Sequence, residues 1–137
     1  MISPVIQFNG KCGEAINLYE VVFGATDKYV EYYRDAPDDS GIPKTPETNE
    51  LVMHAGMTIC GTHINMCDCV EKIIAGNMFK LNVFMDTNDE VKRAFHMLKE
   101  NGKVIVELGS QFFSPMYGSV VDCYGVSWQL ISREGEV

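Results

Sequence analysis

The order strand, helix, strand, strand, strand can be read twice along this chain, and that repetition restricts the fold more than any single segment does. The first helix shows apolar or small residues at Cys12, Ala15, Ile16, Tyr19, Val22 and Phe23, a stripe of period 3.6. Asn9-Gly10 precedes it and Gly24 stops it. The second carries Val91, Ala94, Phe95 and Leu98 on one face, opens on a capping box of Thr87 and Glu90, and ends at Asn101-Gly102. The two stops lie 78 residues apart (102 − 24). Strands are predicted at 5–8, 27–33, 50–59 and 63–67 around the first helix, and at 81–85, 104–108, 118–122 and 127–131 around the second. Cys60-Gly61-Thr62 and Tyr124-Gly125 read as hairpin turns. The fold class is therefore α+β. One domain, residues 1–137, is built from two β-α-β-β-β modules at about 1–67 and 78–132.

Two segments interrupt the pattern. Residues 35–48 hold Pro37, Pro43 and Pro46 beside Asp35, Asp38 and Asp39, which excludes a ladder or helix and predicts a mobile loop. Residues 69–77 join the modules, with a short helix expected at 70–75.

Charge narrows the partners. Eleven Lys and Arg against nineteen Asp and Glu leave a net charge of −8, which argues against nucleic acid or an anionic membrane as partner. No apolar run is long enough to span a bilayer, and the Met1-Ile2-Ser3-Pro4 start lacks the features of a secretory signal. A cytoplasmic protein with reduced thiols is the expectation for its five cysteines. Cys67-Asp68-Cys69 offers two soft ligands where a structural zinc site needs four.

The run from Pro4 through Gln7-Phe8-Asn9-Gly10 to Ile16, followed by Tyr19 and Phe23-Gly24-Ala25, resembles the opening of the PhnB-like proteins. These belong to the vicinal oxygen chelate superfamily, the glyoxalase, bleomycin-resistance and extradiol dioxygenase group. His54-Ala55, Gly61 and Asn65-Met66-Cys67-Asp68 are similar to that branch's third and fourth strands. Gly102-Lys103 and the close Gly118-Ser119-Val120-Val121-Asp122, then Tyr124-Gly125-Val126-Ser127-Trp128, extend the similarity over about residues 3–132. The resemblance implies a glyoxalase/bleomycin-resistance-like fold, with curved mixed sheets around a cleft, and a homodimer.

It also implies a place for a divalent metal, held by His and Glu from facing strands with open positions for two substrate oxygens. Taken position by position, the ligands are missing. The first-strand position falls near Pro4, with no His, Asp or Glu from Ile2 to Phe8. The third-strand position falls at His54, which can ligate, and the one opening the second repeat falls in Lys80-Leu81-Asn82. The last falls at Gln129, where metal-bearing relatives place Glu. An amide donates and accepts without carrying a buried charge, so it suits a neutral pocket better than a cation.

The expected function is small-molecule binding without a full catalytic metal site, and no cofactor. His54, Gln129, Gln7, Phe113 and Trp128 are the candidate ligand-binding residues for a small organic molecule. The alternative is a metal-dependent lyase, isomerase or dioxygenase with a reduced ligand set, and whether the chain is an enzyme stays open. A weaker option gives Cys67 and Cys69 a redox role. The 35–48 loop is a candidate lid. Proteins of this branch are often labelled demethylubiquinone methyltransferases; the sequence holds no G-x-G turn for a Rossmann-type methyl donor site.

Overall fold

A computed structural model of the chain describes residues 1–136 and divides into two compact units, Met1–Ile73 and a second from Ile74 onward. The first contains β1 (Val5–Phe8), α1 (Cys12–Phe23), β2 (Thr26–Tyr32), β3 (Val52–Ile59) and β4 (Thr62–Asp68). The second contains β5 (Leu81–Met85), α2 (Asn88–Leu98), β6 (Lys103–Gln111), β7 (Ser114–Val121) and β8 (Ser127–Ser132). Each forms one four-stranded sheet, ordered β1-β4-β3-β2 and β5-β8-β7-β6. In each, the first strand runs parallel to the last, and the other neighbours are antiparallel. A parallel pair needs a crossover, which the helix and the two intervening strands supply.

Period-2 alternation then sorts the side chains. In the first unit, Phe8, Ala55, Met57, Ile59, Ile64 and Met66 are buried with the α1 stripe of Cys12, Ala15, Ile16, Tyr19 and Val22. In the second, Val83, Met85, Val120, Trp128 and Leu130 are buried with Val91, Ala94, Phe95 and Leu98 of α2. Both helix stripes are those expected from the sequence. Each four-stranded sheet has a single helix in its own unit, and that helix covers one of its faces.

Side chains at the ends of β4 and β8 tie the helix starts to the sheets. Lys11 at the N-cap of α1 makes no capping bond from its side chain. The buried Asp68 carboxylate supplies the acceptor instead: Oδ1 takes the Cys12 N–H at 3.0 Å and Oδ2 takes the Val52 N–H at 3.0 Å. A negative group is favoured there by the helix dipole. Ser132, at the matching register on β8, donates its hydroxyl to Asn88 Oδ1 in the first turn of α2 at 2.7 Å. That helix carries its own capping box of Thr87 and Glu90 as well.

Three sequence expectations change. Residues 70–75 are irregular rather than helical. Strand β7 begins at Ser114, four residues before the predicted start, so Phe112-Phe113 forms the tip of a β6–β7 hairpin. Asp35 joins a short 3-10 turn, Tyr33–Asp35, and Ala36 beyond it is buried, which anchors the start of the long loop. The rest of residues 37–51 forms turns and irregular chain, as the prolines require.

Asp68→Asn turns one acceptor into an amide donor facing a backbone N–H. It should cost about 1–3 kcal/mol, read as a lower urea midpoint; an unchanged midpoint would mean that neither N–H depends on the carboxylate. Burial, with the charges of Asp68 and Cys67 adding to it, pushes the Cys12 thiol far above its ordinary range. The unfolded chain therefore loses that proton first, so the stability held by the neutral thiol is full below the ordinary thiol pKa and declines as pH rises above it. Cys12→Ala should flatten the alkaline limb of a stability–pH curve; an identical limb would assign the decline to other groups.

Candidate functional site

The helix-free face of the first sheet is built by register. Val5 and Gln7 of β1 lie beside Asn65 and Cys67 of β4. His54, Gly56 and Thr58 of β3 share that face with Glu31 and Tyr29 of β2 and with His63 of β4. Tyr29 arrives there through a bulge, since Thr26 to Tyr29 on β2 spans only Thr58 to Gly56 on β3. Asp27 within the bulge takes a left-handed φ of 54°, a conformation that Asp tolerates better than most residues.

These side chains form a connected set. The Tyr29 hydroxyl donates to Asn65 Oδ1 at 3.3 Å and lies 3.2 Å from His54 Nε2. Asn65 Nδ2 donates to Ser3 Oγ at 2.9 Å, and Ser3 Oγ donates to the His63 carbonyl at 3.0 Å. The rings of Tyr29 and His63 stack at 5.8 Å, only 9° from parallel, while His54 meets Tyr29 edge-on at 5.2 Å. Gly56 makes the stack possible: a Cβ there would lie 2.6 Å from His63 Nε2 and 2.8 Å from Tyr29 Cε1.

Gln7 and His54 therefore share one face, and both are exposed. Gln7 hydrogen-bonds the half-buried Cys67, which lowers that thiol's pKa in part. Burial acts first and more strongly, and with the neighbouring Cys69 and Asp68 it holds Cys67 above the ordinary thiol range. A neutral thiol is a poor nucleophile and a poor soft ligand. The Cys69 thiol is turned to the Glu71 carbonyl at 3.6 Å.

In the second unit, Gln129 lies half-buried on the helix-free face, flanked in register by Asn82 of β5 and Ser119 of β7. Trp128 does not join it. Its side chain is buried on the helix-covered face, 1% exposed, with Nε1 donating to Asp122 Oδ2 at 2.9 Å. The other oxygen of Asp122 accepts from Tyr124 and Val126 and holds the turn into β8. Trp128 is thus a core residue, and its place among the ligand-binding candidates is corrected. Phe113 lies at the hairpin tip, 48% exposed and edge-on to Tyr117 at 5.1 Å.

Among the described residues no three His, Cys, Asp or Glu side chains converge as a cation site requires. His54 Nε2 is engaged with Tyr29, and the other polar groups on its sheet include the neutral amides Gln7 and Asn65.

The sequence singled out His54 and Gln7 but passed over Tyr29, Asn65, Ser3 and His63. The alternation of His63, Asn65 and Cys67 carried a signal for two of them. The β2 bulge concealed the facing of Tyr29.

Comparison with known proteins agrees with this architecture. The sequence model of a family described as 3-demethylubiquinone-9 3-methyltransferase matches residues 1–131. Protein YjdN of Escherichia coli (strain K12) is 30% identical over 139 residues, covering 94% of this chain and 92% of its own. A putative 3-demethylubiquinone-9 3-methyltransferase, PhnB protein, from Bacillus cereus superposes with a TM-score of 0.75 at 29% identity, covering 96% of this chain and 98% of that one. The fosfomycin resistance protein FosX of Listeria monocytogenes, complexed with Mn(II) and a dihydroxypropylphosphonic acid, shares the fold. Its TM-score is 0.67 at 9% identity, covering 99% of this chain and 93% of that one. The fold is the repeated β-α-β-β-β arrangement of glyoxalase and bleomycin-resistance proteins, and the chain belongs to the PhnB-like family described as 3-demethylubiquinone-9 3-methyltransferase.

Proposed function

We propose that this chain binds a small organic molecule and lacks the full catalytic metal site of its metal-bearing relatives. The observation that carries this is the hydrogen-bonded set of Tyr29, His54, Asn65 and Ser3 on the helix-free face of the first sheet. It is polar, fixed in geometry by a backbone carbonyl, and built from hydroxyl, amide and imidazole groups. Gln7 beside it adds an amide contact in this proposal, and Gln129 and Phe113 are candidate contacts of the second unit taken by itself.

The family description names a methyltransferase, and FosX was captured with manganese. A Rossmann-type donor site requires a Gly-rich turn opening a parallel sheet. Each sheet here has one parallel pair, at an edge, so that activity is not carried over. Within the first unit, His54 is accompanied on its face by the neutral amides Gln7 and Asn65, which are weak ligands for a cation.

We also propose a cytoplasmic homodimer. Among the described residues no helix is long and apolar enough to cross a membrane. Strands β1, β2, β5 and β6 are sheet edges, and Ile74, Met78 and Phe79 at the start of the second unit are largely exposed. A second copy would cover such features.

Elemental analysis of the purified protein should find nickel, zinc, iron and manganese well below one per chain, with His54→Ala changing none of them. Stoichiometric metal lost with His54→Ala would replace this proposal by the metal-dependent enzyme. Light scattering at micromolar concentration should give twice the 15.3 kDa chain mass; a monomer mass would remove the dimer.

A further inference from the structure

The hydrogen bonds around His54 run in one direction, because the chain of groups ends on an atom that can only accept. The His63 carbonyl has no proton, so the Ser3 hydroxyl must spend its own on it at 3.0 Å. Ser3 Oγ can then only accept from Asn65, which turns the Asn65 amide nitrogen toward Ser3 at 2.9 Å and its Oδ1 toward Tyr29. The single Tyr29 proton goes to that oxygen at 3.3 Å. What remains between Tyr29 and His54 Nε2, at 3.2 Å, is a bond in which the imidazole donates. Neutral His54 therefore carries its proton on Nε2 and its unshared pair on Nδ1.

We infer that Ser3, Asn65 and Tyr29 are positioning residues that fix the His54 tautomer, so that Nδ1 offers the ligand a hydrogen-bond acceptor. The ligand class follows, and it rests on the pocket reading above: a molecule bearing a hydroxyl or N–H group. A carbonyl or ether oxygen at the same place would set two unshared pairs against each other, leaving Nδ1 unsatisfied. Glu31, paired in register with His54 on the same face, is a further acceptor. The Tyr29 hydroxyl has its one proton committed to Asn65, and the edge-on contact of Tyr29 at 5.2 Å holds the His54 ring in place.

Long-range nitrogen–proton NMR correlation on the free protein tests the tautomer without any ligand. The His54 Nε2 should appear protonated and Nδ1 bare, with the minor Nδ1–H form of an imidazole free in water absent. Tyr29→Phe removes the acceptor and should bring that minor form back. Ser3→Ala frees Asn65 to turn over and should do the same in part. Folding of each variant is read from the same spectra, through the unshifted methyl signals of the buried Ile64 and Val91. A protonated Nδ1 in the wild-type protein, or a tautomer unmoved by Tyr29→Phe, overturns the relay.

Phenol and anisole then test the ligand class, since in anisole a methyl group replaces the hydroxyl proton of phenol. Phenol should shift the His54 ring signals with roughly three- to tenfold higher affinity than anisole. Equal responses overturn the donor class while leaving the pocket reading in place. No response to either probe, with the Nε2–H tautomer intact, sinks the pocket reading and the ligand class with it.

Discussion

A four-stranded sheet has two faces, and one helix per unit can bury only one of them. The chain's organisation follows from that limit. Apolar residues alternate onto the helix-covered face, where Ala55, Met57 and Met66 meet α1 and Val120, Trp128 and Leu130 meet α2. The intervening positions are left to polar groups: Gln7, His54, Asn65 and His63 in one unit, Asn82, Ser119 and Gln129 in the other. The buried Asp68 carboxylate joins the helix start to β3 and β4 in the first unit.

The two repeats keep this frame and vary what it displays. Counting back from the last parallel pair in each sheet, Asn65 and Gln129 stand at one register position, and His54 and Tyr117 at another. The amide is retained in both units, whereas the imidazole with its Tyr29 partner occurs in one. That asymmetry places the hydrogen-bonding chemistry in the first unit, with Phe113 and Tyr117 giving the second a more aromatic character.

Much of the frame was legible from the residues alone. Helix stripes, the capping box at Thr87, and strands β1 and β5 follow from period and turn chemistry that act within a few residues. The register between the repeats was hidden. Phe8 corresponds to Met85, an offset of 77 (85 − 8), but Asp68 corresponds to Ser132, an offset of 64 (132 − 68). The long segment between β2 and β3 absorbs the difference, where the second unit has a tight hairpin at Phe112-Phe113. A single offset taken at the helix stops therefore misaligns the strands that follow. Trp128 shows the complementary difficulty. A large ring with a polar edge suits a pocket or a core equally well, and only the bond from Nε1 to Asp122, six residues away, decides for the core.

If the helix-free polar face is the binding surface, ligand contacts must divide by strand parity. Amide and side-chain shift mapping with a library of small neutral organic compounds measures that division directly. Perturbations should gather on Gln7, Tyr29, His54, Asn65 and Cys67, while Ala55, Met66 and the α1 residues Ala15 and Tyr19 stay unmoved. Perturbations gathered on the α1 side, or spread without regard to parity, would contradict the account.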